Sequence, residues 1–204
     1  MKPINGWDNV RPLNEREKLP AGAYECIVKK AELVQTASGE QLYIYFDIDA
    51  GEWEGYYAED WKTNTREDKK WKGILRQWLP KDDGSDRDEW AKARLKALTQ
   101  AFEDSNRGYK WNWDERTLKG KIIGILFRNE EWEWNGKHGW TARPFKAISV
   151  DAVADGKYTI PEDKPLKGSS GTNAENSRTT PNNESLPLVD NLYYQVEDDS
   201  ELPF

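Results

Sequence analysis

Apolar and polar side chains alternate over residues 24–34 and again over 42–48. In the second run Leu42, Ile44, Phe46 and Ile48 fall on one side and Tyr43 and Tyr45 on the other, the two-residue period of a strand. Ser38-Gly39 supplies a turn between the runs, so a hairpin is expected. A third strand is expected over 53–61, after the turn at Gly51. Trp53, Gly55, Tyr57 and Trp61 share one parity there and Tyr56 and Ala58 the other. The period then changes. Thr65-Arg66-Glu67-Asp68 reads as a capped helix start, and Trp71, Ile74, Leu75, Trp78 and Leu79 recur at helical spacing until Pro80, which assigns Trp71 and Trp78 to the core. A second helix is expected from near Ser85 to about Asp104, carrying Trp90, Leu95, Leu98, Ala101 and Phe102. Strands return at 118–128 and 140–150, joined through 131–137, where Asn135-Gly136 is a strong turn signal.

Three strands, helices, then two strands is the element order of an OB-fold, a five-stranded, partly open barrel. The expected fold is therefore mainly β: an OB-fold-like five-stranded barrel with a helical pair inserted between strands 3 and 4, followed by a disordered acidic C-terminal tail. From Gly168 to Pro187 only Ala174 and Leu186 are apolar, too little buried surface to offset the entropy of ordering. The expected division is a folded domain over 1–160, a disordered linker over 161–196 and an acidic tip over 197–204. A coil of that length reaches about 30–36 Å, far enough to hold a partner clear of the folded body.

Charge divides the chain at the same place. Residues 1–150 carry 26 Lys or Arg and 26 Asp or Glu; residues 151–204 carry 4 and 11, which accounts for the net charge of −7. All 11 Trp lie in the first 150 residues. Met1-Lys2-Pro3-Ile4-Asn5 has no apolar signal region and no run approaches the roughly 18 apolar residues of a membrane span, so a cytoplasmic location is expected. One cysteine, Cys26, and one histidine, His138, supply neither an intrachain disulfide nor a zinc cage. Gly120-Lys121 and Gly136-Lys137 lack the rest of a phosphate-binding loop. No catalysis, cofactor or metal is expected. Two alternatives remain open: Asp47, Asp49, Glu52 and Glu54 gathering metal ions in a small nuclease, or the tryptophans forming a sugar-stacking platform in a carbohydrate-binding module.

Many of the tryptophans stand beside charges, as Trp53 does between Glu52 and Glu54, and an exposed ring accepts the face of any nucleobase. The stacking candidates are Tyr43, Tyr45, Trp53, Tyr57 and Trp61 on strands 2 and 3, with Trp132, Trp134 and Trp140 on the last hairpin, where OB-folds receive and clamp single strands. The phosphate-contacting candidates are Lys62, Arg66, Lys69, Lys70 and Lys72, with Arg128, Lys137, Arg143 and Lys146 around that hairpin.

The chain closes on Asp198-Asp199-Ser200-Glu201-Leu202-Pro203-Phe204, acidic residues running into an apolar tip that a basic-rimmed pocket would hold. This ending resembles the acidic C-terminal tip of bacterial and phage single-stranded DNA-binding proteins, with Ser200 and Glu201 at positions where that family carries acidic residues and Leu202 in place of Ile. The resemblance implies an OB-fold body that binds and protects single-stranded DNA without sequence preference during replication and recombination. It also implies a tip, formed by Asp198, Asp199, Glu201, Leu202, Pro203 and Phe204, that recruits a polymerase, helicase, primase or exonuclease. A phage origin, with action in the host cytoplasm, and assembly into a homo-oligomer are further expectations from the same likeness.

Overall fold

The computed structural model describes residues 17–166; the tip and the linker beyond 166 lie outside the described residues. Five antiparallel strands, β1 (Gly22–Thr36), β2 (Gly39–Ile48), β3 (Ile74–Trp78), β4 (Ile122–Trp134) and β5 (Lys137–Ile148), form one open sheet in the order β3-β2-β1-β4-β5. β1 pairs with β4 through its first half and with β2 through its second. Its register slips between Val28 and Lys30, and such a bulge bends a strand and deepens its twist. One face of the curved sheet closes the core, with Cys26, Ile44, Phe46, Ile48, Ile123, Ile125 and Phe127 all buried.

The third strand is not where the alternation placed it. Residues 53–61 form a turn followed by α1 (Tyr56–Thr63), and β3 is Ile74–Trp78, inside the stretch expected to be a helix. Two contacts made by β2 explain both departures. The Asp47 carboxylate, 2 % exposed, accepts the Tyr57 amide at 2.9 Å and the Ala58 amide at 3.1 Å. It completes backbone groups that the first turn of a helix leaves open. Further on, the Trp71 indole donates to the carbonyls of Phe46 and Gly73 at 3.0 and 3.2 Å. Gly73 passes so close that a Cβ there would overlap the Phe46 carbonyl oxygen and lie 2.7 Å from the Tyr57 ring. The chain is thereby laid along β2, and residues 74–78 pair with it from Tyr45↔Ile74 to Gln41↔Trp78.

Only one long helix, α2 (Asp86–Ser105), separates β3 from β4, together with a 3-10 turn at Glu115–Leu118, so of the expected helical pair only the second member forms. α2 begins where Ser85 announced it: the Ser85 hydroxyl accepts the Asp88 amide. It ends at Asn106, whose side chain bonds Phe102 and both backbone groups of Ile122, fastening the helix to the start of β4. The last hairpin turns at Asn135 and Gly136, with φ of 50° and 71°, the left-handed pair of a tight two-residue turn. Its strands run to the turn itself, so residues expected as a link extend β4 and β5 (Lys137–Ile148) into an arm. α3 (Val150–Ala154) follows, and Lys164 then pairs with β4 through the backbone of Asn129 and Glu131.

Candidate functional site

The two outer strands, β3 and β5, approach one another and line a cleft of about 650 Å³. Ile74, Arg76, Gln77 and Trp78 come from β3, residues 141–145 from β5, and α2 contributes Trp90 and Arg94 at one end. The opposite end is built by Tyr56, Tyr57 and Asp60 of α1 with Lys70, Trp71 and Lys72 of the segment before β3. Seven lining residues are basic (Lys18, Lys70, Lys72, Arg76, Arg94, Arg128 and Arg143) against one acidic, Asp60. On a body of zero net charge this is a local concentration of cations.

Geometry fixes several of these charges. Arg128 is buried, 3.0 Å from the buried Glu130, and its guanidinium lies 4.4 Å from the centre of the Phe145 ring. Arg94 donates to the Phe145 carbonyl at 3.1 Å and lies 4.9 Å from the centre of the Trp90 indole. Rings and guanidinium groups thus alternate from α2 to β4, an arrangement that holds flat surfaces and positive charge side by side. Lys72 pairs with Asp60 at 3.0 Å. Tyr57 lies at the cleft wall with its phenol pushed well above the ordinary range by burial, so it stays protonated.

Of the residues singled out in the sequence, Tyr57, Lys70, Lys72, Arg128 and Arg143 line the cleft. Arg66 and Lys69 line an adjoining shallow hollow with Lys70 and Lys72. Lys69 lies 4.7 Å from the centre of the half-buried Trp61 ring. Lys62 and Lys146 are exposed away from the cleft. Tyr43 and Tyr45 sit in the core, Tyr45 donating its hydroxyl to Glu32 at 2.8 Å, and neither offers a face. Trp53 packs edge-on against Tyr56 at 5.6 Å. Trp132, Trp134, Lys137 and Trp140 lie on the protruding arm, where Trp134 and Trp140 are exposed and the Trp132 ring lies over Gly139.

Arg76, Trp78, Trp90, Arg94 and Phe145 were missed. Helical periodicity gave Trp78 to the core and placed Trp90 on the second helix, yet both line the cleft and Trp90 is 41 % exposed. The spacing of Trp90 and Arg94 was the available signal, since residues four apart on a helix face one another.

Asp47 is occupied by the amides of α1, and no group of three or more His, Cys, Asp or Glu is gathered to hold a metal ion among the described residues. Cys26 is buried, and burial pushes its thiol up. No helix among the described residues is long and apolar enough to cross a membrane. No protein-family model matches this chain and no curated protein proves similar to it.

Proposed function

We propose that the chain binds single-stranded DNA in this cleft without sequence preference, as a non-catalytic protein that shields exposed strands during replication and recombination. The observation that carries this reading is the gathering of seven cations against one carboxylate, interleaved with Trp78, Trp90 and Phe145, on an otherwise neutral body. Phosphates need local cations, and bases need flat apolar surfaces at about 1–3 kcal/mol per stacked base. Duplex DNA conceals its base faces, so such a cleft favours unpaired strands.

The strand order supports an OB-fold as the finer description. With β3 and β5 as edges that line one cleft, β1 is shared between the β2–β3 and β4–β5 arms, as in a five-stranded barrel left partly open. The second half of the proposal rests on the sequence alone: the acidic tip at 197–204 recruits replication or recombination enzymes, leaving the cleft to the strand.

Filter binding of labelled single-stranded and duplex DNA over a range of salt tests the proposal. Retention of single strands in preference to duplex, weakening steeply as salt rises, is expected. Equal retention of both forms, or of neither, refutes it.

A further inference from the structure

Gln41 and Gln77 stand on neighbouring strands, line the cleft and are nearly buried, at 3 % and 7 % exposure. Their side chains differ in one respect. The Gln77 amide donates to the Trp78 carbonyl at 2.8 Å, whereas the carboxamide of Gln41 hydrogen-bonds to no described residue. The Gln41 amide is not sealed from solvent: the little of this residue that stays accessible includes its hydrogen-bonding end, at the wall of the cleft. Gln41 lies directly opposite Trp78 in the β2–β3 register, so the two side chains leave the sheet on the same face. Arg76 is on that face too, one cross-strand step along, opposite Tyr43. The open amide therefore has a large ring and a guanidinium as its neighbours.

We infer that Gln41 hydrogen-bonds the edge of a nucleobase held against Trp78. A carboxamide presents an acceptor oxygen beside a donor nitrogen, and the pairing edge of each base presents at least one donor next to an acceptor. For thymine, the Gln41 oxygen takes the N3 hydrogen and its amide donates to an adjacent carbonyl oxygen. Turning the amide over serves the other bases, so this contact requires a base without specifying which one. The inference rests on the proposed DNA-binding function: Trp78 stacks, Arg76 meets phosphate, and Gln41 makes the cleft a receptor for bases as well as for backbone.

The test uses the full chain and two fluorescently labelled oligothymidylates of about ten nucleotides, within the span that one OB domain covers. One is unmodified; the other carries N3-methylthymine throughout, which removes the N3 donor but keeps the stacking ring and every phosphate. By anisotropy the wild type is expected to bind the unmodified strand about fivefold more tightly, the usual worth of one hydrogen bond. Gln41→Met, similar in shape but without the amide, is expected to bind both strands alike. A wild type indifferent to the methyl groups, or a Gln41→Met variant that still discriminates, overturns the inference while leaving single-strand binding intact. Absence of binding to either strand overturns the proposed function with it. Should Gln41→Met melt below the assay temperature, the two wild-type titrations decide alone.

Discussion

The Arg76 guanidinium lies 5.0 Å from the centre of the Tyr43 ring, directly across the β2–β3 ladder, with the ring buried beneath it and the charge exposed above. The Tyr43 hydroxyl is buried with no partner among the described residues. Ring and hydroxyl thus act oppositely on stability, and only Arg76 reaches the cleft. Tyr43→Phe should leave the proposed DNA binding intact and stability unchanged or raised by about 1 kcal/mol, because it deletes an unsatisfied buried group. Arg76→Ala should weaken binding and lower the slope of log affinity against log salt by about one unit. Urea denaturation and salt-dependent anisotropy measure the two effects.

Arg128 and Glu130 form a buried pair two residues apart on β4, and Glu130 is also 3.9 Å from Arg143 at the cleft wall. Removing one member takes from the other the buried countercharge it holds at 3.0 Å. Glu130→Ala is expected to destabilise by about 3–5 kcal/mol, and replacing both members, as Arg128→Met with Glu130→Leu, should recover most of the loss. A denaturation double-mutant cycle decides; equal losses in the single and double variants would show that packing, not charge, sets the cost.

How far the sequence revealed this architecture depends on whether a local signal carried each element. Ser85 capped α2 from within its own turn, Asn135-Gly136 set its hairpin alone, and alternation marked β2; all three were legible. α1 was not, because its start is completed by Asp47 from the preceding strand. Trp53, Tyr57 and Trp61, spaced four apart, satisfy a helix as well as one parity of a strand. β3 was hidden by an accidental helical spacing, against which Gly73 was the one local objection. The cleft followed suit: Lys70, Arg128 and Arg143 were found as charges, while Arg76 and Trp78 were lost with the strand that carries them.

Because the cap of α1 is tertiary, its loss should act on the cleft as well as on stability. Asp47→Ala leaves the Tyr57 and Ala58 amides without their acceptor and is expected to cost about 1–3 kcal/mol. Hydrogen exchange should quicken first across residues 56–63. The proposed affinity for DNA should fall with it, since Tyr56, Tyr57 and Asp60 of α1 line the cleft. Protection of α1 equal to that in the wild type would remove Asp47 from this role.

Asp88 gives the fold a defined response to acid. Its carboxylate lies 2.9 Å from the Lys92 ammonium and accepts the Asp82 and Gly84 amides at 2.8 and 3.4 Å. The Lys92 hydrogen bond first, then those amides, hold its pKa below the ordinary aspartate value. A carboxyl group whose folded pKa lies below its unfolded one binds fewer protons in the folded state, so its contribution is fully present above the unfolded value, about 4. That contribution is lost as pH falls through the folded value. The melting temperature should therefore drop as pH is lowered beneath about 4. Asp83, Glu103 and Asp114 shift in the same direction, so acid lability alone does not single out Asp88. Asp88→Asn does: it should lower the melting temperature at neutral pH and flatten the acid limb relative to wild type. Thermal melts from pH 2 to 7, with wild type and variant running parallel, would assign the acid response to the other carboxylates.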